Sequence, residues 1–476
     1  MGALLDRKAP REHKETTPPT KKKNCFLRPV PLALQFDAQL EVVANTEWRA
    51  LFLLFFVEQV SCRFHFPKEY NTWVQGRPDS DMLHAAASRR ALAGFFVSGL
   101  LMAFPGAILP AWGYHLTSDF LAVGNYFLSM SLGLLASMRF ALWLLPRQGI
   151  SRVLALACGL AFVSLILLGV ASPPAPVWYR ALAFFCIGIG AGLLNTGVFH
   201  AISSMFRHNP AATVNLSGTF FGLGCFTAAL LIAVAFGVYT VPSMLILFAL
   251  IPLYFAIVFW RSDFPVDSHA RPRSAKQASA DLRSPSAILF SLLLFFQFGN
   301  EWSIAGWLAL FLIQRLGLSP TTSLLVLSMY WLALLLGRIV AQTMLPRVRH
   351  ARLLMGNVLA AMLGCMLLAF TNNLFGASMG VLLVGFGFSS IYPLIVEKIG
   401  ARFPGYHPGF FNGVFSFALT GGLLAPWLLS FLAHAYGIQI VMALPMLGTA
   451  AVFLCLVGIW VEGKLSGRGL SQPEGD

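Results

Sequence analysis

Glu301 stands where a carboxylate is hardest to keep. It lies in Gln297-Phe298-Gly299-Asn300-Glu301-Trp302, inside an apolar run of helix length. With the run starting near Leu289, Glu301 falls about 18 Å along the helix at 1.5 Å per residue, close to the middle of a bilayer. A charge there costs roughly 2.5–3.5 kcal/mol on insertion scales, so it is expected to face a bundle interior or a wet cavity. Three chemistries suit it: accepting hydrogen bonds from a polyol, carrying a proton, or forming part of a cation site. A structural carboxyl bonded to neighbouring amides is the competing reading.

Other polar groups recur in similar apolar settings. Gln297, Asn300, Asn195, Asn215 and Asn412 supply amides that both donate and accept. With Trp302, Trp307, Tyr330, Trp331 and Tyr392 they suit a cavity that stacks on and hydrogen-bonds a sugar-like molecule. Against this, membrane helices also use Asn as interhelical glue and Trp and Tyr as interfacial anchors. Arg338 and Glu397, near the same ends of their helices, could pair as a gate, with Arg139 and His200 as the corresponding pair in the first half. An ion pair present in one state alone would bias a two-state equilibrium; snorkelling interface residues are the alternative.

Several other chemistries are excluded. Gly376-Ala377-Ser378-Met379-Gly380 matches a nucleophile elbow in letters, but it opens an apolar helix where that motif needs a strand-to-helix turn. Gly188, Gly190 and Gly192 follow no strand, and Asn195 occupies the third glycine's place in a dinucleotide motif. There is no His-Glu-x-x-His and no Cys-x-x-Cys, and five of the seven cysteines lie in apolar runs, so no metal, cofactor or enzymatic activity is expected.

The elements that position these groups follow from composition. Of 476 residues 57% are hydrophobic and 11% charged, so the bilayer is the main solvent. Residues 1–87 contain one short apolar stretch, Ala50 to Val57, too brief to span. They are expected to be a disordered extension or a mis-called start, with Met82 resembling a natural one. Twelve helix-length apolar segments follow, at about 90–112, 120–144, 151–171, 177–204, 211–237, 241–260, 286–314, 320–343, 351–370, 374–399, 409–434 and 437–461. A basic Pro/Ser/Ala segment, 262–285, divides a six-helix half at 88–261 from another at 286–461, and 462–476 forms a tail. Arg147, Arg152, Arg207, the central segment, Arg347, Arg349, Arg352, Lys398, Arg402, Lys464 and Arg468 fall on one side, which is expected to be cytoplasmic with both termini. The net charge of +14 is thus a matter of topology, and no nucleic-acid partner is expected.

The halves are related. Leu145-Pro146-Arg147 with Arg152 and Leu154 returns as Leu345-Pro346-Arg347 with Arg352 and Leu354, a shift of 200. Gly188, Gly190, Phe206, Asn215 and Gly224 return as Gly385, Gly387, Phe403, Asn412 and Gly421, a shift of 197. Two halves in the same orientation match the parallel repeat of the major facilitator fold, an all-α membrane architecture of twelve helices.

Gly299-x-Glu301 with Gly306-Trp307, Tyr330-Trp331 with Gly337-Arg338, Gly188-x-Gly190, and Phe220-Phe221-Gly222-x-Gly224 together resemble the fucose-permease type of sugar symporter in the major facilitator superfamily. The resemblance covers about residues 88–461. It implies a secondary transporter of a small neutral, sugar-like solute in a multi-pass protein of a bacterial inner membrane, coupled to a proton or sodium ion and working as a monomer. The departures bear on mechanism. That family's permease uses an Asp in its first helix and a Glu in its fourth, whereas this chain has no acid between Ala91 and Trp112 and has Asn195 near the place of the Glu. Its proton route is not carried over. An exporter of drugs or metabolites with a more apolar pocket is the alternative, and a membrane-embedded sensor or enzyme a distant one.

Overall fold

A backbone surrounded by hydrocarbon has no water to bond, so each apolar run closes its own hydrogen bonds as helix. The computed structural model describes residues 80–202, 210–262, 264, 284–344, 347–402 and 408–465, and among these there is no strand. The expected extension falls outside this set up to residue 79, as do most of the central basic segment, the Leu345-Pro346 half of the repeated loop, and the tail from 466.

Among the described residues twelve helices are long and apolar enough to cross a membrane: Arg90–Ile108, Phe120–Ala141, Trp143–Val170, Val177–Ala201, Thr213–Ala235, Val241–Trp260, Pro285–Leu316, Pro320–Met344, His350–Phe370, Leu374–Gly400, Phe417–Tyr436 and Ile438–Lys464. They are numbered here as spans one to twelve. Ordinary end signals set their limits. Asp119 accepts from the Ala122 N–H, Ser284 from that of Ala287 ahead of Pro285, and Asn373 from that of Gly376. Gly317 ends the seventh span at φ 67°, where a side chain would be strained.

Three details depart from the expected pattern. The first helix begins at Ser80, inside the segment read as an extension. The second and third spans are two helices that meet at Gly149, whose backbone leaves helical geometry (φ 77°, ψ 168°), so the break between them is shorter than the expected loop. The tenth span breaks at Ser390 into Leu374–Ser389 and Ile391–Arg402.

Within each half, the first span packs on the fifth as the seventh packs on the eleventh, and the second on the fourth as the eighth on the tenth. The repeated glycines lie at these contacts. A Cβ at Gly188 would strike the carbonyl oxygen of Met130, and one at Gly385 that of Tyr330. Gly190 faces the carbonyl of Ala157 and Gly387 that of Asn357; Gly224 faces the carbonyl of Phe96 and Gly421 that of Phe295. The glycines are related by 197 residues and their carbonyl partners by 199 or 200, so a contact network has been duplicated. Such side-chain-free faces let helices approach closely where lipid provides no hydrophobic drive. Between halves the main contacts are the second span on the eleventh and, correspondingly, the eighth on the fifth, with the first crossing the seventh.

Candidate functional site

The facing surfaces of the halves enclose a cavity of about 40 Å³, room for a few waters. Its wall comes from Met102, Pro105 and Gly106 of the first span, Phe127, Met130, Ser131 and Leu134 of the second, Trp302, Ala305 and Gly306 of the seventh, and Leu419, Gly422, Leu423 and Pro426 of the eleventh. Among the described residues no charged side chain lines it. Ser131 and the Trp302 indole are its polar side chains. Glycines set its shape: a Cβ at Gly306 would come within 2.6 Å of the Phe127 ring, and one at Gly422 within 2.5 Å of the Trp302 indole. Trp302 also meets Phe221 of the other half edge-on, with ring centroids 6.2 Å apart.

Of the expected solute-binding residues whose side chains are described, Trp302 alone lines this cavity. Glu301 is buried beside it, its Oε1 4.0 Å from Nη2 of Arg338. Tyr330 is fully buried and donates to the Glu301 carbonyl oxygen at 3.4 Å. Gln297, one turn before Glu301, is fully buried with its amide beside the Glu301 carboxylate. Asn300 faces away, donating to Thr449 of the twelfth span at 3.3 Å with Gly448 against its amide, so it joins helices as glue. Trp307 is also a packing group: its indole N–H donates to the Pro426 carbonyl at 2.9 Å, and Phe120 and Phe127 meet its ring at about 6 Å. Asn215 donates to the Arg338 carbonyl at 3.3 Å, across the two halves. Asn195 is half-buried on the fourth span and not part of the wall, and the Asn412 side chain lies outside the described residues. Tyr392 packs on Phe298 with centroids 5.2 Å apart.

The two expected gate pairs are not formed. Arg338 turns from Glu397 to Glu301, and it also donates to the carbonyls of Ser389 and of Gly218 in the other half. Glu397 instead meets His350 at 2.5 Å within its own half. His200 is exposed and holds its ring nitrogen on the Thr196 carbonyl 2.8 Å away, and Arg139 is likewise exposed. Helix rotation decides this: two residues near the same membrane side meet only if their helices turn them toward each other.

Two features were missed. Arg180 is 4% exposed, donating from Nε to Tyr126 (2.7 Å), from Nη1 to the carbonyls of Ala175 (2.9 Å) and Ala171, and from Nη2 to Tyr114 (3.3 Å), with the Trp112 ring alongside. It sits three residues into its span, so in sequence it looks like a flanking cation. Gln314 ties the halves on the side away from the basic loops, donating to the His115 carbonyl and the Ser118 hydroxyl, each at 3.0 Å. Burial holds the His115 ring below its ordinary pKa. Cross-half contacts thus lie on both sides of the cavity, at Gln314 on one and at Arg338 on the other.

Comparison with known proteins agrees with this architecture. The family model of the Major Facilitator Superfamily matches residues 91–426. An uncharacterised MFS-type transporter of Yersinia pestis is 24% identical over 314 residues, covering 64% of this chain and 78% of its own. Among solved structures, a variant of the Escherichia coli fucose:proton symporter superposes with TM-score 0.54 at 16% identity, over 79% of this chain and 99% of its own. A Major Facilitator Superfamily transporter in the outward conformation gives 0.54 at 18% over the same shares. Twelve spans, a duplicated glycine network and a cavity between the halves accompany a family match over most of the chain, and the protein belongs to the Major Facilitator Superfamily.

Proposed function

We propose that the protein is a secondary active transporter moving a small neutral, sugar-like solute by alternating access, with Glu301 as the carrier of a coupling proton or sodium ion. The observation that carries this reading is the cavity: both halves contribute its wall, and no charged side chain among the described residues lines it. A charged solute would meet no counter-charge there, while Trp302 and Phe127 offer ring faces to the apolar side of a small molecule. Taking up a proton at Glu301 would remove the charge that holds Arg338. Arg338 also grips the Gly218 carbonyl of the other half, so that event would loosen the basic side. The fucose:proton symporter likeness supports the sugar-like choice. We further propose that the basic side is cytoplasmic in a bacterial inner membrane, that residues 262–285 link two six-helix units, and that the protein acts as a monomer.

A second reading, export of an apolar drug or metabolite, is favoured by the Met, Phe, Leu and Pro residues that make up most of the wall. Uptake into proteoliposomes from panels of neutral sugars and of hydrophobic cations, with and without pH or sodium gradients, separates the two. Sugar uptake driven by a gradient and abolished in a folded Glu301→Gln variant supports the proposal. Uptake of hydrophobic cations alone selects the second reading, and gradient-driven uptake unchanged in Glu301→Gln removes Glu301 from coupling.

A further inference from the structure

The cavity wall follows the duplication in one pair of helices and departs from it in another. Met102, Pro105 and Gly106 of the first span and Trp302, Ala305 and Gly306 of the seventh line it 200 residues apart, and the two spans cross where a Cβ on Gly106 would strike the Ala305 carbonyl. The second span lines it with Met130 and Ser131, and the same shift leads to Tyr330 and Trp331 on the eighth. That register is fixed in space, because Gly188 meets the Met130 carbonyl as Gly385 meets that of Tyr330. Two large, fully buried rings therefore stand in the second half where the first half has a thioether chain and a hydroxymethyl group.

Ser131 also differs from its neighbours in how it uses its hydroxyl. A serine inside a helix commonly returns its hydroxyl to a carbonyl one turn back. Ser137 of the same span does so with Leu134, as Ser328 does with Leu325. Ser131 has no hydrogen-bond partner among the described residues, and neither has the indole N–H of Trp302. Ser98, Ser303 and Ser323 lack partners too, but they are sealed within the packing, whereas Ser131 borders the cavity.

We infer that the Ser131 hydroxyl and the Trp302 indole N–H are the polar contacts that select the solute, one from each half, and that the solute is a neutral, ring-sized molecule with few hydroxyl or carbonyl groups on a mostly apolar frame. This rests on the transport reading and narrows its sugar-like solute to one with few hydroxyls. The indole only donates and the hydroxyl both donates and accepts, so the solute must offer the indole an acceptor. Each further solute hydroxyl would meet methionine, leucine and phenylalanine carbon, losing its hydration without a side chain to bond. At about 40 Å³ the cavity is smaller than such a ring, and Met102 and Met130, whose unbranched chains repack readily, are the side chains that yield.

Proteoliposome uptake of the solute selected by the panel tests this. Ser131→Ala and Trp302→Phe should each raise KM about three- to tenfold, the worth of one neutral hydrogen bond. The melting temperature of Ser131→Ala without solute should stay level, because its hydroxyl bonds nothing among the described residues. Ser137→Ala, which loses a bonded hydroxyl from the same helix, should leave KM unchanged. Unlabelled cyclohexanediol should compete with uptake more strongly than inositol, which carries a hydroxyl on every carbon of the same ring. An unchanged KM in Ser131→Ala, or inositol competing as well as cyclohexanediol, overturns the inference while transport itself stands. Absence of uptake by the wild type across the whole panel overturns the transport reading, and the inference falls with it.

Discussion

Breaking the pair of Glu301 with Arg338 should cost far more than breaking an exposed ion pair, and the two side chains should be energetically coupled. At 4.0 Å, and with an effective dielectric constant of about 20, the attraction is about 4 kcal/mol. Removing one partner leaves the other buried and uncompensated, which typically costs about 3–5 kcal/mol. Glu301→Gln leaves a charged Arg338 still donating to the Ser389 and Gly218 carbonyls, so its loss should fall at the lower end. Arg338→Gln strands the carboxylate and both carbonyls, so its loss should be the larger. The double variant buries no charge and should lose less than the sum, with a coupling of about 1–3 kcal/mol. Unfolding by sodium dodecyl sulfate in mixed micelles, followed by circular dichroism, measures all four corners of the cycle. Additivity within about 0.5 kcal/mol would refute the pairing and the tether built on it.

Gly188→Leu and Gly385→Leu, at duplicated contacts, should each lower stability by about 1–3 kcal/mol in the same assay, because a side chain strikes the Met130 or the Tyr330 carbonyl. Arg180→Met should cost about 1–3 kcal/mol by taking the donor from the Ala171 and Ala175 carbonyls, while the Tyr114 and Tyr126 hydroxyls keep each other, and Arg180→Lys should rescue little because an ammonium cannot reproduce the planar fork. The depressed pKa of His115 means that the folded protein binds this proton less readily than the unfolded chain. The ring's contribution to stability is therefore present above pH about 6.5 and is lost as pH falls through that value towards the lowered one. Between about pH 7.5 and 5.5 the wild type should lose more melting temperature than His115→Gln, and equal losses would contradict this.

Length and apolarity made the twelve spans legible, because hydrocarbon permits only self-satisfied helices of that length. The repeat was legible too: glycine is demanded wherever a backbone carbonyl of one helix touches another, and Gly188/Gly385 and Gly224/Gly421 record it. The break between the second and third spans was legible in the Pro-Arg-Gln-Gly stretch but not its shortness, since one glycine at positive φ suffices to separate the two helices. Rotation about each helix axis was the main loss. Asn300 and Trp302 are neighbours in sequence, yet one faces the twelfth span and the other the cavity. Phe127, Met130 and Leu134 gave no signal, since a residue lining an apolar cavity has the composition of one buried in a core. Ser131 looked like any small helix-packing residue. Arg338 pairs with Glu301 on the seventh span and not with Glu397 on the tenth, which its place in the sequence does not reveal.

Alternating access requires the two sides of the cavity to open in opposition, and spin-label distances in lipid nanodiscs measure this directly. One label pair at the exposed positions Leu116 and Phe375 reports the side of the Gln314 contacts, and one at Arg147 and Arg347 reports the basic side, each pair spanning the two halves. On adding a solute selected by the uptake panel, one distance distribution should lengthen as the other shortens. Both distances staying fixed, or both lengthening together, while the labelled protein still transports would contradict the account.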